Sequence, residues 1–328
     1  MQPLAVALGD PAGIGPEVTA KAWERREAEG LSPFFAVGSP ESVAAVWKGP
    51  VAIVEGPDEA AQAFATALPL IRVPGGCDTT PGHPTLEGAR NALDALELAV
   101  GLTRSGAACA IVTGPVSKAQ LYAVGFVHPG QTEFVAERCG VAADMVAMML
   151  AGPSLRTVPV TTHIALKDVP QAVTTELIVA RGRTTIRGLR RLFGIARPRI
   201  AVAGLNPHAG EDGALGREEL EIVIPAVERL REEDADIVGP LAADTMFHAR
   251  MRQTYDAALC LYHDQALVPL KTLHFDEGVN ITLGLPIVRT SPDHGTAFGI
   301  AGRNKAEAGA MIAALGLAAN CARRLSLA

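Results

Sequence analysis

Short apolar segments alternate with longer amphipathic segments along the chain. The apolar segments have the length of buried strands and are mostly bounded by Gly, Pro or polar residues. They cover residues 4–8, 34–37, 108–112, 145–150, 200–202 and 257–261. The amphipathic segments predict helices over residues 16–29, 86–104, 132–139, 172–193, 217–232 and 305–325. This alternation is typical of α/β layers around a largely parallel sheet.

The length of 328 residues is sufficient for two α/β lobes. No Gly/Ser-rich linker separates them, so the boundaries are predicted from the Gly- and Pro-rich crossings at residues 127–131 and 285–292. We expect a first lobe of residues 1–130 with 292–328 and a second lobe of residues 131–291. Two lobes connected twice would place a cleft, and the chemistry, between them.

Composition and charge exclude several classes of protein. The chain has 35 acidic against 29 basic residues, a net charge of −6, which argues against nucleic acid or an anionic membrane as the main partner. No apolar run approaches the roughly 20 residues of a membrane-spanning helix. The first residues do not have the pattern of a signal peptide. Five cysteines without a CxxC pair favour a reducing compartment, so we expect a cytoplasmic protein.

Three histidines occur in matching contexts. His163, His208 and His263 each follow or end a strand-like run, at residues 157–160, 200–205 and 257–261. A lone histidine in such a place is more often structural, but three imidazoles at the same ends of parallel strands could converge on one divalent metal. Asp244 could join them or orient an imidazole; equally, it could cap a helix over residues 245–250.

Other polar segments could bind anions. Lys271, Asn280 and Arg289 lie near predicted strand ends, where they could hold a carboxylate or phosphate. Residues 293–297, placed before a predicted helix, could offer backbone N–H groups to a cofactor phosphate. The glycine-rich turn at residues 9–17 lacks the third glycine of the dinucleotide fingerprint, and residues 113–118 lack the spacing of a phosphate-binding loop.

Together these segments resemble the PdxA family of 4-hydroxythreonine-4-phosphate dehydrogenases. The resemblance covers nearly the whole chain, and residues 113–118, 206–211, 262–265 and 278–286 are jointly very specific for it. It implies an isocitrate/isopropylmalate dehydrogenase-like fold of two α/β/α lobes with a cleft between them. Such a fold accounts for a nicotinamide enzyme without the Rossmann fingerprint.

The resemblance also implies a set of site residues. The metal ligands of the family fall on His163, His208 and His263, and the metal would be zinc, magnesium or cobalt. Substrate-binding positions of the family fall on Gln131, Thr132, Lys271, Asn280 and Arg289. Gln131 stands where the family usually has histidine. Asp244 and Lys271 are candidate catalytic residues, and His294, Gly295 and Thr296 are candidate cofactor-binding residues.

The implied reaction belongs to pyridoxal 5'-phosphate biosynthesis. It is the NAD- or NADP-dependent oxidation of 4-phosphooxy-L-threonine to 2-amino-3-oxo-4-phosphooxybutanoate, which loses carbon dioxide to give 3-amino-2-oxopropyl phosphate. The resemblance further implies a homodimer with its site at or near the subunit contact. Three alternatives stay open: a dehydrogenase of a related substrate, such as threonate or erythronate 4-phosphate or a dihydrodiol carboxylate; a metal hydrolase; and a phosphate acyltransferase on a similar fold.

Overall fold

The structure is a computed structural model that describes residues 1–74, 77 and 79–327. Ala328, the last residue of the predicted first lobe, lies outside the described residues. In chain order, the strands are β1 Leu4–Ala7, β2 Phe34–Gly38, β3 Val51–Ile53, β4 Leu68–Arg72, β5 Ile111–Thr113, β6 Ala147–Ala151, β7 Arg156–Pro159, β8 Arg199–Ala203, β9 Asp236–Leu241, β10 Ala257–Cys260, β11 Val279–Leu283 and β12 Arg289–Pro292.

The helices alternate with these strands. They are α1 Gly15–Glu24, α2 Pro40–Val46, α3 Pro57–Ala63, α4 Leu86–Arg104, α5 Lys118–Ala123, α6 Gln131–Arg138, α7 Val169–Ala172, α8 Thr175–Phe193, α9 Ile224–Arg231, α10 Ala243–Met246, α11 Ala249–Arg252, α12 His263–His274 and α13 Gly309–Leu327. The predicted α/β class is therefore confirmed. Over the described ranges, no helix has both the length and the apolar character needed to cross a bilayer.

The chain forms two compact units, one of residues 1–140 with 285–327 and the other of residues 141–284. In the first unit the strands follow the order β3-β4-β2-β1-β5-β12, and every neighbouring pair is parallel. In the second unit the order is β11-β6-β7-β10-β8-β9. Here β6 pairs antiparallel with both β11 and β7, whereas β7, β10, β8 and β9 are parallel.

Burial explains why the strand signal was strong. The side chains of β1 and β2 are almost fully buried, as are those of β8 and β10 except for the exposed Arg199. A strand that is covered on both faces has apolar residues at nearly every position. This pattern is typical of parallel sheets whose two faces are covered by connecting helices. Helix α4 packs against β1 and β2, and α13 against β12. The buried faces of these helices consist mainly of small and aliphatic residues.

The observed boundary between the units differs from the predicted one at both crossings. The predicted second lobe started at residue 131, but helix α6 belongs to the first unit. Phe134 is 2% exposed and lies 5.6 Å, ring centroid to centroid, from Phe126, while Arg138 forms an ion pair with Glu97 on α4. These contacts hold α6 in the first unit despite the preceding Gly and Pro. The return crossing comes at residue 285, so Arg289 also belongs to the first unit.

Three predicted helices differ from the observed ones by four residues or more at one end. The helix predicted over residues 16–29 ends at Glu24. The helix predicted over residues 217–232 starts with a π-helical turn, Glu219–Val223, before α9. The helix predicted from residue 305 begins only at Gly309, and residues 298–304 form turns. Asn304, with a φ of 57°, is in the left-handed region, which a right-handed helix cannot continue through.

The start of α1 depends on the absence of a side chain at Gly15. A Cβ atom there would lie 2.0 Å from the backbone oxygen of Leu8, whereas a Cβ at Gly101, within α4, would meet nothing within 4 Å. We expect Gly15→Ala to lower the free energy of unfolding by about 1–3 kcal/mol, because backbone must move to admit the methyl group. Gly101→Ala, the control, should raise it by about 0.5–1 kcal/mol. Urea unfolding measures both, and equal effects would contradict this account.

Candidate active site

Three parallel strands of the second unit each lead to one of the predicted metal ligands. His163 follows β7, His263 follows β10, and His208 follows β8. These strands are neighbours in the order β7-β10-β8. Because the carboxyl ends of parallel strands meet at the same edge of a sheet, the three loops emerge side by side.

The rings of His163 and His263 lie close together, tilted by 46° to each other, beyond the carboxyl ends of these strands. Their ring centroids are 5.6 Å apart, and both line a pocket of about 280 Å³ together with Thr161, Ile164, Leu166, Val169, Tyr262 and Asp264. His263 is the first residue of α12, and its Nδ1 lies 2.7 Å from Asp264 Oδ1. This contact orients the ring of His263 and leaves Nε2 for another ligand.

His208 lies in an unusual turn between β8 and the π-helical turn. Residues 208–212 all have positive φ, between 42° and 82°, although only Gly210 among them is a glycine. The imidazole is exposed and is not among the side chains that line the pocket. Non-glycine residues in this region carry strain that surrounding contacts must offset.

The donor chemistry fits a divalent metal ion, since imidazoles are common ligands of zinc and cobalt. Two of the three imidazoles share one pocket, and the third extends from the adjacent strand. Within residues 1–74, 77 and 79–327, no three His, Cys, Asp or Glu side chains are grouped closely enough to hold a metal. The assignment of His163, His208 and His263 as a ligand set therefore stays a prediction.

The other predicted residues of the second unit lie on separate elements. Asp244 is exposed in the first turn of α10, whose N-cap is Ala242, so the capping interpretation of Asp244 is wrong. Lys271 is on α12, two turns beyond His263, and is half-buried. Asn280 is half-buried on β11, and its buried Oδ1 has no hydrogen-bond partner in the described part of the protein.

The first unit brings three predicted substrate-binding residues together. Arg289 donates from one NH2 group to the Thr113 hydroxyl, at 2.7 Å, and from the other to the Thr132 hydroxyl, at 3.3 Å. Gln131 begins α6, and its Nε2 donates to the backbone oxygen of Gly114 at 3.1 Å. Strands β5 and β12 are adjacent and parallel, and Arg289 lies opposite Ile111, two residues before Thr113.

Arg289 is the most strongly perturbed charge in this cluster. Only 4% of the residue is exposed, and burial lowers its pKa to about 10, while the nearby Glu133 carboxylate acts in the opposite direction. The guanidinium is therefore still cationic at neutral pH. A buried cation held by hydroxyl groups attracts a phosphate or carboxylate strongly, because little water is present to screen it.

The candidate cofactor residues follow β12. His294 Nδ1 lies 3.2 Å from the backbone oxygen of Gly295, and the backbone oxygen of Thr296 accepts from the N–H of Ile14 in the glycine-rich turn. This hydrogen bond joins the glycine-rich turn at residues 9–17 to residues 293–297, two segments that the sequence analysis considered separately. The helix predicted after this segment begins only at Gly309, and residues 298–304 form turns, so residues 293–297 do not lie at a helix N-terminus.

Sequence reasoning did not identify Glu219 or Gln265. Both are buried, and both accept or donate hydrogen bonds at the loops that carry the histidines. Gln265 lies two residues after His263, within residues 262–265, which the sequence analysis already singled out because of this histidine. Glu219 carries no such signal, because an acidic residue in an amphipathic helix is normally solvated.

Comparison with known proteins places this chain in a family. The family described as "Pyridoxal phosphate biosynthetic protein PdxA" matches residues 32–318. A 4-hydroxythreonine-4-phosphate dehydrogenase of Zymomonas mobilis is 58% identical over 322 residues, which is 98% of this chain and 96% of that protein. The chain belongs to the PdxA family.

Solved structures agree with the PdxA assignment. The 4-hydroxythreonine-4-phosphate dehydrogenase of Klebsiella pneumoniae has a TM-score of 0.88 and 36% identity, covering 98% of this chain and 100% of that one. A β-decarboxylating dehydrogenase of Thermococcus kodakarensis has a TM-score of 0.50 at 15% identity, covering 99% of this chain and 84% of that one. The latter likeness concerns the fold alone and agrees with the isocitrate/isopropylmalate dehydrogenase-like class.

The Arg289 cluster predicts an unequal response to two threonine substitutions. Thr113→Val removes a hydroxyl acceptor from a buried cation, so we expect the free energy of unfolding to fall by about 1.5–3 kcal/mol. Thr103→Val is the matched control, because this buried hydroxyl donates only to the Ala99 carbonyl within α4. Its loss should be about 0.5–1.5 kcal/mol, as for a neutral hydrogen bond. Denaturant unfolding compares them, and a larger loss at Thr103 would contradict the assigned role.

Proposed function

We propose that this PdxA family member is a 4-hydroxythreonine-4-phosphate dehydrogenase. In the proposed reaction, C3 of 4-phosphooxy-L-threonine gives a hydride to NAD or NADP, and its hydroxyl loses a proton. The resulting 3-oxo acid loses its carboxylate as carbon dioxide, and a proton takes the place of the carboxylate on C2 to give 3-amino-2-oxopropyl phosphate. The observation that carries the proposal is the 58% identity, along 98% of the chain, to a relative of that name.

We assign the metal-binding role to His163, His208 and His263. A bound divalent ion, zinc, magnesium or cobalt, would act as a Lewis acid toward the substrate oxygen. The facing rings of His163 and His263 support this role. Each imidazole must be neutral to ligate, and the contact between His263 Nδ1 and Asp264 favours a ring whose Nε2 is the ligating atom.

The substrate-binding role falls on five residues in the proposal. Arg289 and Lys271 attract the anionic ends of the substrate, and Gln131, Thr132 and Asn280 add neutral hydrogen bonds. The buried Oδ1 of Asn280 and the buried Oε1 of Gln131 have no partner among the described residues, so each can accept from a substrate ammonium or hydroxyl group. Such contacts fix the carbon to be oxidised before hydride transfer.

Asp244 and Lys271 are the alternative proposed proton acceptors for the substrate hydroxyl, and Lys271 would take this role only as a neutral amine, in place of its anion-binding role. Asp244 is exposed and Lys271 is half-buried, so both are accessible to solvent. His294, Gly295 and Thr296 are the proposed cofactor-binding residues, supported by the contact of Thr296 with the glycine-rich turn. The cytoplasmic location and the homodimer also stay predictions.

The deciding experiment is a substrate panel with purified protein. Phosphorylated 3-hydroxy acids, including 4-phosphohydroxythreonine and threonate and erythronate 4-phosphates, are tested with NAD and NADP separately by nicotinamide absorbance. The proposal expects 4-phosphohydroxythreonine to have the highest kcat/KM. A higher kcat/KM for another acid would identify that acid, and not 4-phosphohydroxythreonine, as the substrate. No nicotinamide reduction with any acid would favour a hydrolase or acyltransferase.

Metal removal tests the role of the histidines. We expect chelator-treated protein, with metal analysis confirming its loss, to be inactive and to regain activity on addition of zinc, cobalt or magnesium. The control is the same treatment followed by metal-free buffer, which should leave the folded structure intact by circular dichroism. Full turnover by metal-free protein would refute the metal-binding role.

Substitution of Gln131 should change the affinity for the substrate. Gln131→His introduces a side chain that can be cationic, and hydrogen bonds to charged groups contribute about 1.5–3 kcal/mol against about 0.5–1.5 for neutral ones. We expect KM for 4-phosphohydroxythreonine to fall several-fold with little change in kcat, as uniform binding predicts. The exposed Gln171 provides the control, Gln171→His, which should leave both constants unchanged. An unchanged KM in Gln131→His would show that residue 131 does not contact the substrate.

A further inference from the structure

The side chain of Gln265 connects two of the loops that carry the histidines. It is 7% exposed, its Oε1 accepts from the Leu261 N–H at 2.6 Å, and its Nε2 donates to the Gly204 oxygen at 2.8 Å. Leu261 lies two residues before His263, and Gly204 lies four residues before His208. One amide group thus joins the end of β10 to the end of β8.

The backbone of Leu261 also forms hydrogen bonds with the third loop, through its carbonyl oxygen. The Thr161 hydroxyl donates to the Leu261 oxygen at 2.8 Å, and the Thr161 N–H is 3.3 Å from that oxygen. Thr161 is buried and lies two residues before His163. The loops after β7, β10 and β8 are therefore linked through the backbone N–H and C=O groups of Leu261 and one glutamine side chain.

Glu219 supports the turn that carries His208. It is 2% exposed, and its Oε1 accepts from the backbone N–H groups of Leu205 and Asn206, each at 2.7 Å. Its Oε2 accepts from Asn206 Nδ2 at 2.9 Å. A Cβ at Gly210 would lie 2.6 Å from Oε2, so the left-handed turn closes directly on this carboxylate.

These bonds lie beyond the regular sheet. The last ladder pairs are Cys260 with Pro159 and Leu259 with Val202, so the Gln265 bonds begin where the β10–β8 pairing has ended. A glutamine required only for sheet stability would not need to reach past the ladder. Its two bonds instead determine the spacing of the loops at the edge where the imidazoles emerge.

We propose that Gln265 is a positioning residue that, with Thr161 and Glu219, sets the distances among His163, His208 and His263. This inference rests on the proposed metal-binding role of those histidines. Gln265 is not itself a ligand, because both ends of its amide are already engaged by backbone groups. Residues that orient metal ligands in this way typically contribute about 10–100-fold to metal affinity.

The test measures Co²⁺ binding to the metal-free full chain, without substrate or nucleotide. Titration is followed by calorimetry and by the visible absorption of bound Co²⁺, which reports coordination geometry. Gln265→Leu keeps the volume but removes both hydrogen bonds, so we expect the Kd for Co²⁺ to rise by about 10–100-fold and the absorption to change. Gln265→Glu keeps the acceptor for Leu261 but loses the donor to Gly204, and its Kd should rise less.

The matched control is Thr185→Val in the same unit. Thr185 is fully buried, and its hydroxyl donates to Arg181 within α8. This variant should lose stability without changing the Kd for Co²⁺. If both Gln265 variants bind Co²⁺ as tightly as the unsubstituted protein, the positioning role is refuted. If Gln265→Leu does not fold, by circular dichroism, Gln265→Glu alone decides. If the unsubstituted protein binds no Co²⁺, the metal-binding role fails and this inference fails with it.

Discussion

Parallel hydrogen bonding among β7, β10 and β8 requires these strands to end at one edge of their sheet, and the placement of His163, His263 and His208 depends on that requirement. Most residues of each strand are buried, which holds the strand in register, so the polar residue that follows has a defined position. The connecting segments then determine how far each imidazole extends. His163 and His263 meet in one pocket, whereas His208 lies on a turn with its own strained geometry.

The first unit holds a cation, the guanidinium of Arg289, inside its core. Taking a guanidinium from water is costly unless its donors are satisfied. At Arg289 the hydroxyl groups of Thr113 and Thr132 accept its hydrogen bonds, and its pKa stays above neutrality. A hydroxyl group satisfies a donor without cancelling the charge. The guanidinium therefore keeps its positive charge inside the core.

Much of this structure was predictable from the sequence, because buried strands and amphipathic helices have distinct periods. The helix over residues 86–104 has the predicted limits, since Thr85 caps one end and the buried face continues to Thr103. The unit boundary was not predictable from Gly and Pro, because tertiary contacts of Phe134 and Arg138 decide it. The ends of the predicted strands indicated that the three histidines lie in the loops after β7, β10 and β8, as they do. The left-handed turn at His208 left no local signal, because its support is Glu219, eleven residues away.

The first unit is discontinuous in the chain, and this affects how the protein is made. Residues 141–284 leave the ribosome as a complete second unit, while the first unit still lacks β12 and α13. Domains generally fold as units in the order of synthesis, so the inserted unit can finish before the unit that surrounds it. Until residue 289 is translated, Thr113 and Thr132 lack the guanidinium that joins them. Translation therefore completes the cluster of Arg289, Thr113 and Thr132 only after the whole second unit has been synthesised.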